Sequence, residues 1–225
     1  ILLVQYDQEK HGFFAGLDVG TGKERWKTER AFGASWASPT LIRKEGGNEA
    51  ILSADPMVVS YDPGTGKELW RVECLKGGEV APSPVFSDGV IFAACDYVAV
   101  VAIDAKKHAV LWKNDELICG VSTPLVTEGK LFGGLADGGM FCMDAKTGKE
   151  LWFADTDEGF YASPLLVGDK VYLLDRTGVM HIFAASKEFK PIAQRALGEE
   201  SVCTPAMFGG SIYCRGAKHL FRIGS

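Results

Sequence analysis

Met143-Asp144-Ala145-Lys146-Thr147-Gly148-Lys149-Glu150-Leu151-Trp152 is the stretch that decides the fold, because the chain repeats it. Leu17-Asp18 leads through Thr-Gly-Lys to Trp26, Tyr61-Asp62 leads to Trp70, and Ile103-Asp104 leads to Trp112. Each copy sets an aspartate eight residues before a tryptophan, and successive tryptophans lie 44, 42 and 40 residues apart. Thr-Gly-Lys-Glu recurs at Thr21, Thr65 and Thr147. Self-similarity at a fixed period of this size is the signature of a repeat architecture.

A second column has the same period. Ser38-Pro39, Ser83-Pro84, Thr123-Pro124, Ser163-Pro164 and Thr204-Pro205 recur at intervals of 45, 40, 40 and 41. From Tyr161 one unit can be read through: Ala-Ser-Pro-Leu-Leu-Val, a Gly168-Asp169 turn, then the alternating run Lys170 to Leu174. A turn at Arg176-Thr177-Gly178 and the run Val179 to Ala184 follow. Short β-rich runs between Gly and Asp turns are hairpins. With the turn after Asp144 and the run Glu150 to Ala154, each unit of about 40 residues holds four antiparallel strands, a propeller blade.

The repeated residues have mechanical roles. Proline near the start of a strand need not donate to the ladder, and glycine in the Thr-Gly-Lys turn supplies a positive φ. Trp26, Trp70, Trp112 and Trp152, with Asp18, Asp62, Asp104 and Asp144, are read as structural docking positions. The indole packs on the neighbouring blade while its N–H finds a partner. In the fifth unit Ala184 takes the aspartate position and Ile192 the tryptophan position. Ala184 to Glu200 could pass for a helix, but Pro191 in its middle makes it a degenerate turn and strand.

These residues resemble the pyrroloquinoline-quinone (PQQ)-like propeller repeat, Ala-x-Asp-x-x-Thr-Gly-x-x-x-Trp, over essentially the whole chain. That family includes quinoprotein alcohol dehydrogenases and the BamB-type lipoprotein of bacterial outer-membrane assembly. The resemblance implies an all-β propeller of four-stranded blades, usually eight, in the bacterial envelope, periplasmic or extracellular. About five to six blades are expected in one domain over 1–225: 1–31 (partial), 36–74, 81–115, 121–155, 161–197 and 202–225 (partial). About two blades would precede Ile1, and a six-bladed ring is the alternative.

The formal net charge of -5 argues against nucleic acid as partner. The longest apolar run, Tyr97 to Ile103, is strand-sized, so no membrane span is expected. Cys74, Cys95, Cys119, Cys142, Cys203 and Cys214 form no C-x-x-C pair and are read as small apolar residues of a packed sheet. His11, His108, His181 and His219 show no ligand spacing. Asp155-Thr-Asp157-Glu-Gly159 echoes a calcium loop without the rest of its ligands.

In a propeller, loops joining second to third strands share one end with loops joining one blade to the next. Here the first set offers Asp55, Asp96, Asp137, Asp175, Arg176 and Arg215. The second offers Arg30, Trp36, Glu79, Glu116, Asp157, Glu158, Tyr161, Glu199 and Glu200. Trp36, Asp55, Asp96, Asp137, Tyr161, Asp175, Arg176 and Arg215 form the candidate binding face. Asp55, Asp96 and Asp137 are expected to cap their own turns, and the acidic rim to attract a basic partner. The expectation is a non-catalytic scaffold for a protein or polysaccharide partner, with no cofactor. The alternative is a fragment of a quinone-dependent alcohol or sugar dehydrogenase with calcium-bound PQQ.

Overall fold

The computed structural model describes residues 1–9, 11–44 and 46–224. Lys10, Glu45 and Ser225, within the ranges assigned above to the first, second and last blades, lie outside the described residues. The fold is an all-β propeller built from antiparallel sheets, with no helix among the described residues. The chain separates into two compact units, Ile1–Gly120 and Val121–Ser225.

In the first unit, β1 (Leu2–Tyr6), β2 (Gly12–Leu17) and β3 (Glu24–Arg30) make a three-stranded sheet. β4 (Thr40–Lys44), β5 (Gly47–Ala54), β6 (Met57–Tyr61) and β7 (Glu68–Glu73) make a four-stranded one. β8 (Val85–Ser87), β9 (Val90–Cys95), β10 (Ala99–Asp104) and β11 (Ala109–Asn114) make another. The second unit holds β12 (Leu125–Thr127), β13 (Lys130–Gly134), β14 (Met140–Asp144) and β15 (Glu150–Ala154) in one sheet. β16 (Leu165–Val167), β17 (Lys170–Leu174), β18 (Val179–Ala184) and β19 (Pro191–Ala196) form the next. β20 (Ala206–Phe208), β21 (Ser211–Arg215) and β22 (Leu220–Ile223) form the last. Every strand pairs with its sequence neighbour, so each sheet is a meander.

Register explains the small-residue column. Trp26, Trp70, Trp112 and Trp152 lie opposite Gly16, Ser60, Ala102 and Cys142, each just before a bulge in the ladder. A Cβ on Gly16 would come within 2.4 Å of the Trp26 ring, so a small residue lets the indole lie across the sheet. The indoles of Trp26, Trp70 and Trp152 then reach the turn of the next blade. A Cβ on Gly66 would stand 2.3 Å from Trp26, and Thr28 Oγ1 donates to Gly66 O at 2.7 Å. Trp70 stacks on His108, centroids 4.6 Å apart and planes at 15°. His108 occupies the glycine's place in its turn and takes the same left-handed conformation, φ 54°. Trp152 meets Phe189 at 4.9 Å and Phe183 edge-on at 5.5 Å, and donates to Ser186 O at 3.1 Å.

The aspartates hold the turns on which the indoles land. Asp18 Oδ1 accepts from Gly20 N, Thr21 N and Thr21 Oγ1, and Asp144 Oδ1 accepts from Lys146 N, Thr147 N and Thr147 Oγ1. Asp62 and Asp104 each accept from two backbone N–H groups of their own turns. Arg25 and the Thr21 hydroxyl and amide hold the Asp18 carboxyl down at about 2. The Ser/Thr-Pro column adds a lacing between blades. Ser38 N donates to Ser83 Oγ, Thr123 N to Ser163 Oγ, and Ser163 N to Thr204 Oγ1. Only the proline of that column has a role legible from sequence; the hydroxyl's role as acceptor between blades shows in the structure.

Apolar burial follows the same blade-to-blade pattern. Phe14 packs with Ala50, Leu52, Val59 and Tyr61. Ile51, Val58 and Trp70 pack with Ile91, Ala93, Val101 and Ile103. In the second unit Phe132, Cys142 and Trp152 pack with Val171, Leu173 and Phe183, and Leu174 and Met180 with Cys214.

Two expectations need correction. Ala193, not Ile192, occupies the tryptophan register of the fifth blade, opposite Ile182. The hairpin there is one residue longer, and Ile192 sits at the bulge, half exposed like Leu69 and Leu111 in their blades. Trp26 Nε1 is buried with no hydrogen-bond partner among the described residues. Trp70 Nε1 instead donates to Glu49 Oε2 at 3.0 Å. Glu49 lies opposite Asp62 by extension of the β5–β6 register, and the corresponding place in the first blade is Ile1, which offers no side-chain acceptor.

Gly66 and Gly22 separate docking from backbone strain. Both have φ near +70°, but a Cβ on Gly22 meets nothing within 4 Å. Gly22→Ala is expected to cost about 1 kcal/mol, the left-handed penalty alone. Gly66→Ala should cost about 1–3 kcal/mol more, because the methyl collides with the indole. Denaturant midpoints of the two variants check the difference.

Candidate functional site

The loops of the first unit are tied to one another through their backbones. Gly33 N donates to Asp55 O, and Cys74 N and Leu75 N donate to Pro56 O. Asp96 N donates to Glu79 O at 2.8 Å, and Trp36 N donates to the adjacent Val80 O at 2.9 Å. The loop after β7 thus lies between the β5–β6 and β9–β10 hairpins and also holds the loop after β3. Trp36, on one side of it, is 64% exposed, and Tyr97, on the other, is 84% exposed with φ 59°. Glu79 and Glu116 are exposed carboxylates of the same loop set. Tyr97 was missed from sequence as a face residue. Its signal is its place directly after Asp96, at the tip of a hairpin.

Two members of the expected face behave differently. Asp55 does not cap its own turn, because its Oδ1 accepts from Gly77 N, in the loop after β7, at 2.8 Å. Arg30 is withdrawn from the surface. Its Nε and Nη2 donate to the two oxygens of Asp7 at 2.7 and 2.9 Å, and its Nη1 donates to Tyr61 Oη at 2.7 Å. Both members of the Asp7–Arg30 pair have fully buried side chains. Asp96 does accept from the next amide, Tyr97 N, at 3.0 Å.

In the second unit Asp137, Asp157 and Glu158 are exposed. Arg176 places its guanidinium 4.9 Å from the centroid of Tyr161, which is 38% exposed. Asp175, expected at the surface, is buried. Its Oδ1 accepts from Thr177 N, Thr177 Oγ1 and Val179 N, and its Oδ2 lies 2.9 Å from His181 Nε2. Gln194 Nε2 stands 3.2 Å from the other imidazole nitrogen. A cavity of about 520 Å³ opens over this group, walled by Asp155, Asp157, Glu158, Asp175, His181 and Gln194 among others. Arg215 is exposed and its Nε donates to Cys203 Sγ at 3.2 Å. The Glu199 carboxylate accepts from Lys218 N and His219 N, so it holds a turn, while Glu200 stays exposed.

All six cysteines are free thiols. Burial pushes Cys74 and Cys142 up to about 12 and Cys95 to about 11, so these sulfurs stay protonated and unreactive at neutral pH. Among the described residues no three His, Cys, Asp or Glu side chains come together as a metal site. Among the described residues no helix is long and apolar enough to cross a membrane.

The family model described as outer membrane protein assembly factor BamB matches residues 54–188, more than half of the chain. The chain is 32% identical over 87 residues to quinohemoprotein alcohol dehydrogenase ADH IIB of Pseudomonas putida, covering 34% of this chain and 13% of that enzyme. It is 32% identical over 100 residues to the quinohemoprotein alcohol dehydrogenase of Comamonas testosteroni, covering 40% and 14%. The chain therefore spans about a seventh of the curated relatives it matches. BamB from Moraxella catarrhalis is similar in structure over 97% of this chain and 77% of its own, with a TM-score of 0.58 at 17% identity. Sqt1 of Saccharomyces cerevisiae aligns over 96% and 67%, with a TM-score of 0.76 at 12% identity. A europium-containing methanol dehydrogenase aligns over 77% and 44%, with a TM-score of 0.62 at 16% identity. Identities this low speak to fold alone. The indole-on-turn repeat and the family match together make this chain a member of the PQQ-like, BamB-type propeller family.

Proposed function

We propose that the chain is a non-catalytic binding module of the bacterial envelope, docking a protein partner on the loop end that carries Trp36 and Tyr97. The observation that carries this reading is the pairing of those two exposed aromatics with a hydrogen-bonded loop framework. Tryptophan and tyrosine dominate binding energy at protein interfaces, and a rigid loop loses little entropy on docking. Glu79 and Glu116 give the same loop set acidic residues, which favours a partner with basic groups around an apolar patch. The outer-membrane assembly-factor description of the matching family agrees with this reading. A polysaccharide would be an alternative occupant of the same aromatics.

A second reading, a quinone-dependent dehydrogenase fragment, draws on the names of the P. putida and C. testosteroni relatives. The residues present do not fit a calcium-bound quinone. No group of three acidic, histidine or cysteine ligands forms among the described residues, and the second unit's cavity is walled by carboxylates that repel an anionic cofactor. The chain spans about a seventh of those enzymes, so this reading would need a site built largely from residues outside it.

A photo-crosslinking amino acid placed at Trp36 or Tyr97 in the envelope of the source cell tests the first reading. Val19, 76% exposed at the β2–β3 turn at the other end of its blade, serves as the control position. Discrete protein adducts from Trp36 and Tyr97, and none from Val19, are expected. Equal labelling, or adducts to polysaccharide alone, would overturn it. Trp36→Ala should weaken the captured complex by about 2 kcal/mol in a binding titration. Tight uptake of PQQ and calcium with dye reduction would favour the second reading instead.

A further inference from the structure

One hairpin departs from the repeat. The β4–β5 hairpin pairs over five positions, Thr40 to Lys44 against Ile51 to Gly47, whereas β8–β9, β12–β13, β16–β17 and β20–β21 each pair over three. An insertion carried by one unit of a repeat maps to a loop, and in repeat proteins such loops often build the binding surface. This one stands at the end of its blade opposite the Trp36 loop, and its extra length is braced. Lys44 forms an ion pair with Glu49 diagonally across the ladder. Glu49 Oε2 in turn accepts from Ser60 Oγ at 2.9 Å and from Trp70 Nε1 at 3.0 Å. The indole that docks the next blade thus also pins the foot of the hairpin.

The hairpin lines a cavity of about 920 Å³ whose other side belongs to the following blade, at Phe86, Lys106 and His108. That volume falls in the range of small-molecule sites. The lining selects by hydrogen bonding and not by charge. Among the described residues its ammonium groups and carboxylates balance, Lys44 and Lys106 against Glu49 and Asp62. The Lys44–Glu49 pair is spent internally. Asn48 and Lys106 are exposed, with side chains that no described residue engages, and Asp62 commits only Oδ1 to its own turn. Beside these polar groups lie the apolar surfaces of Leu69, 46% exposed, and half-buried Phe86. The stack on Trp70 holds the His108 ring in place.

We propose that the cavity under the β4–β5 hairpin binds a neutral saccharide. A sugar ring carries hydroxyls that both donate and accept, together with an apolar face of C–H groups, and this lining complements both. The Asn48 amide, the uncommitted Asp62 oxygen and the Lys106 ammonium hydrogen-bond the hydroxyls, while Phe86 and Leu69 meet the C–H face. A charged ligand finds no excess of opposite charge. A peptide held by strand pairing fits less well, because the extension leaves only Gly47 to Glu49 of β5 unpaired with β6. The site does not rest on the docking surface at Trp36, which lies at the other end of the blades.

The experiment presents the purified protein to an array of neutral di- and trisaccharides, with uronic-acid glycans, sulfated glycans and short peptides alongside, and titrates the strongest ligand by calorimetry. Binding to a neutral glycan is expected, weakened about fivefold in Asn48→Ala and in Lys106→Ala by the loss of one hydrogen bond each. Both residues are exposed, so their denaturant midpoints should not move. A chain in which Asp-Gly takes the place of residues 43–48, copying the Asp88-Gly89 turn of the next blade, should lose the glycan, while Trp36→Ala keeps it. If that shortened chain does not fold, the two point variants decide. An array with no neutral glycan bound overturns the proposal, as does binding confined to charged glycans or to peptides. So does a neutral glycan whose affinity survives both point variants or falls with Trp36→Ala. Glycan binding without a crosslinked partner at Trp36 would strike the docking proposal alone, and crosslinking without glycan binding would strike this one alone.

Discussion

An indole laid across its own sheet and set down on the turn of the next blade is the contact on which the rest of this structure depends. It solves a packing problem that a four-stranded meander cannot solve alone. Such a sheet has two faces to cover and a hairpin at each end, and none of these is stable in water by itself. The tryptophan covers a face, and its reach onto the following turn sets the spacing between blades. The aspartate of that turn, by accepting its backbone N–H groups, keeps the landing surface rigid. The small residue opposite each tryptophan lets the ring lie flat.

The contact tolerates substitution where its geometry is kept. His108 stands in a glycine's place, adopts the same left-handed backbone, and offers Trp70 a ring to stack on. In the fifth blade, where Ala193 replaces the tryptophan, the longer turn brings Phe189 back onto Trp152 of the blade before. Aromatic area removed at one position returns at its neighbour. Polar satisfaction is looser, since Trp70 and Trp152 find acceptors and Trp26 finds none among the described residues.

Much of this was legible in the sequence because the repeat is periodic and its residues are chemically extreme. A tryptophan eight residues after an aspartate, with glycine between, leaves few local structures open. The one-residue slip at Ile192 arose because a bulge changes register without changing composition. The candidate face was less legible. Sequence placed Asp55, Asp175 and Arg30 among surface residues, yet each is spent on holding loops, since burial and partner choice depend on residues far away in the chain. Asp7, the partner of Arg30, sits in a hairpin that carries no Thr-Gly-Lys signature, and Tyr97 reads as one more apolar residue until its turn exposes it.

Function in this fold is carried by loops on a framework whose own chemistry is mechanical. The tie from Trp36 through Val80 and Glu79 to Asp96 shows how blade-to-blade order reaches the surface. The most direct measurement of the central contact is a double-mutant cycle between Trp70→Ala and His108→Gly, read by denaturant unfolding. A coupling of about 0.5–1.5 kcal/mol is expected for stacked rings that join two blades. Additivity of the two changes would contradict the account, because the blades would then be held together by something other than the indole and its turn.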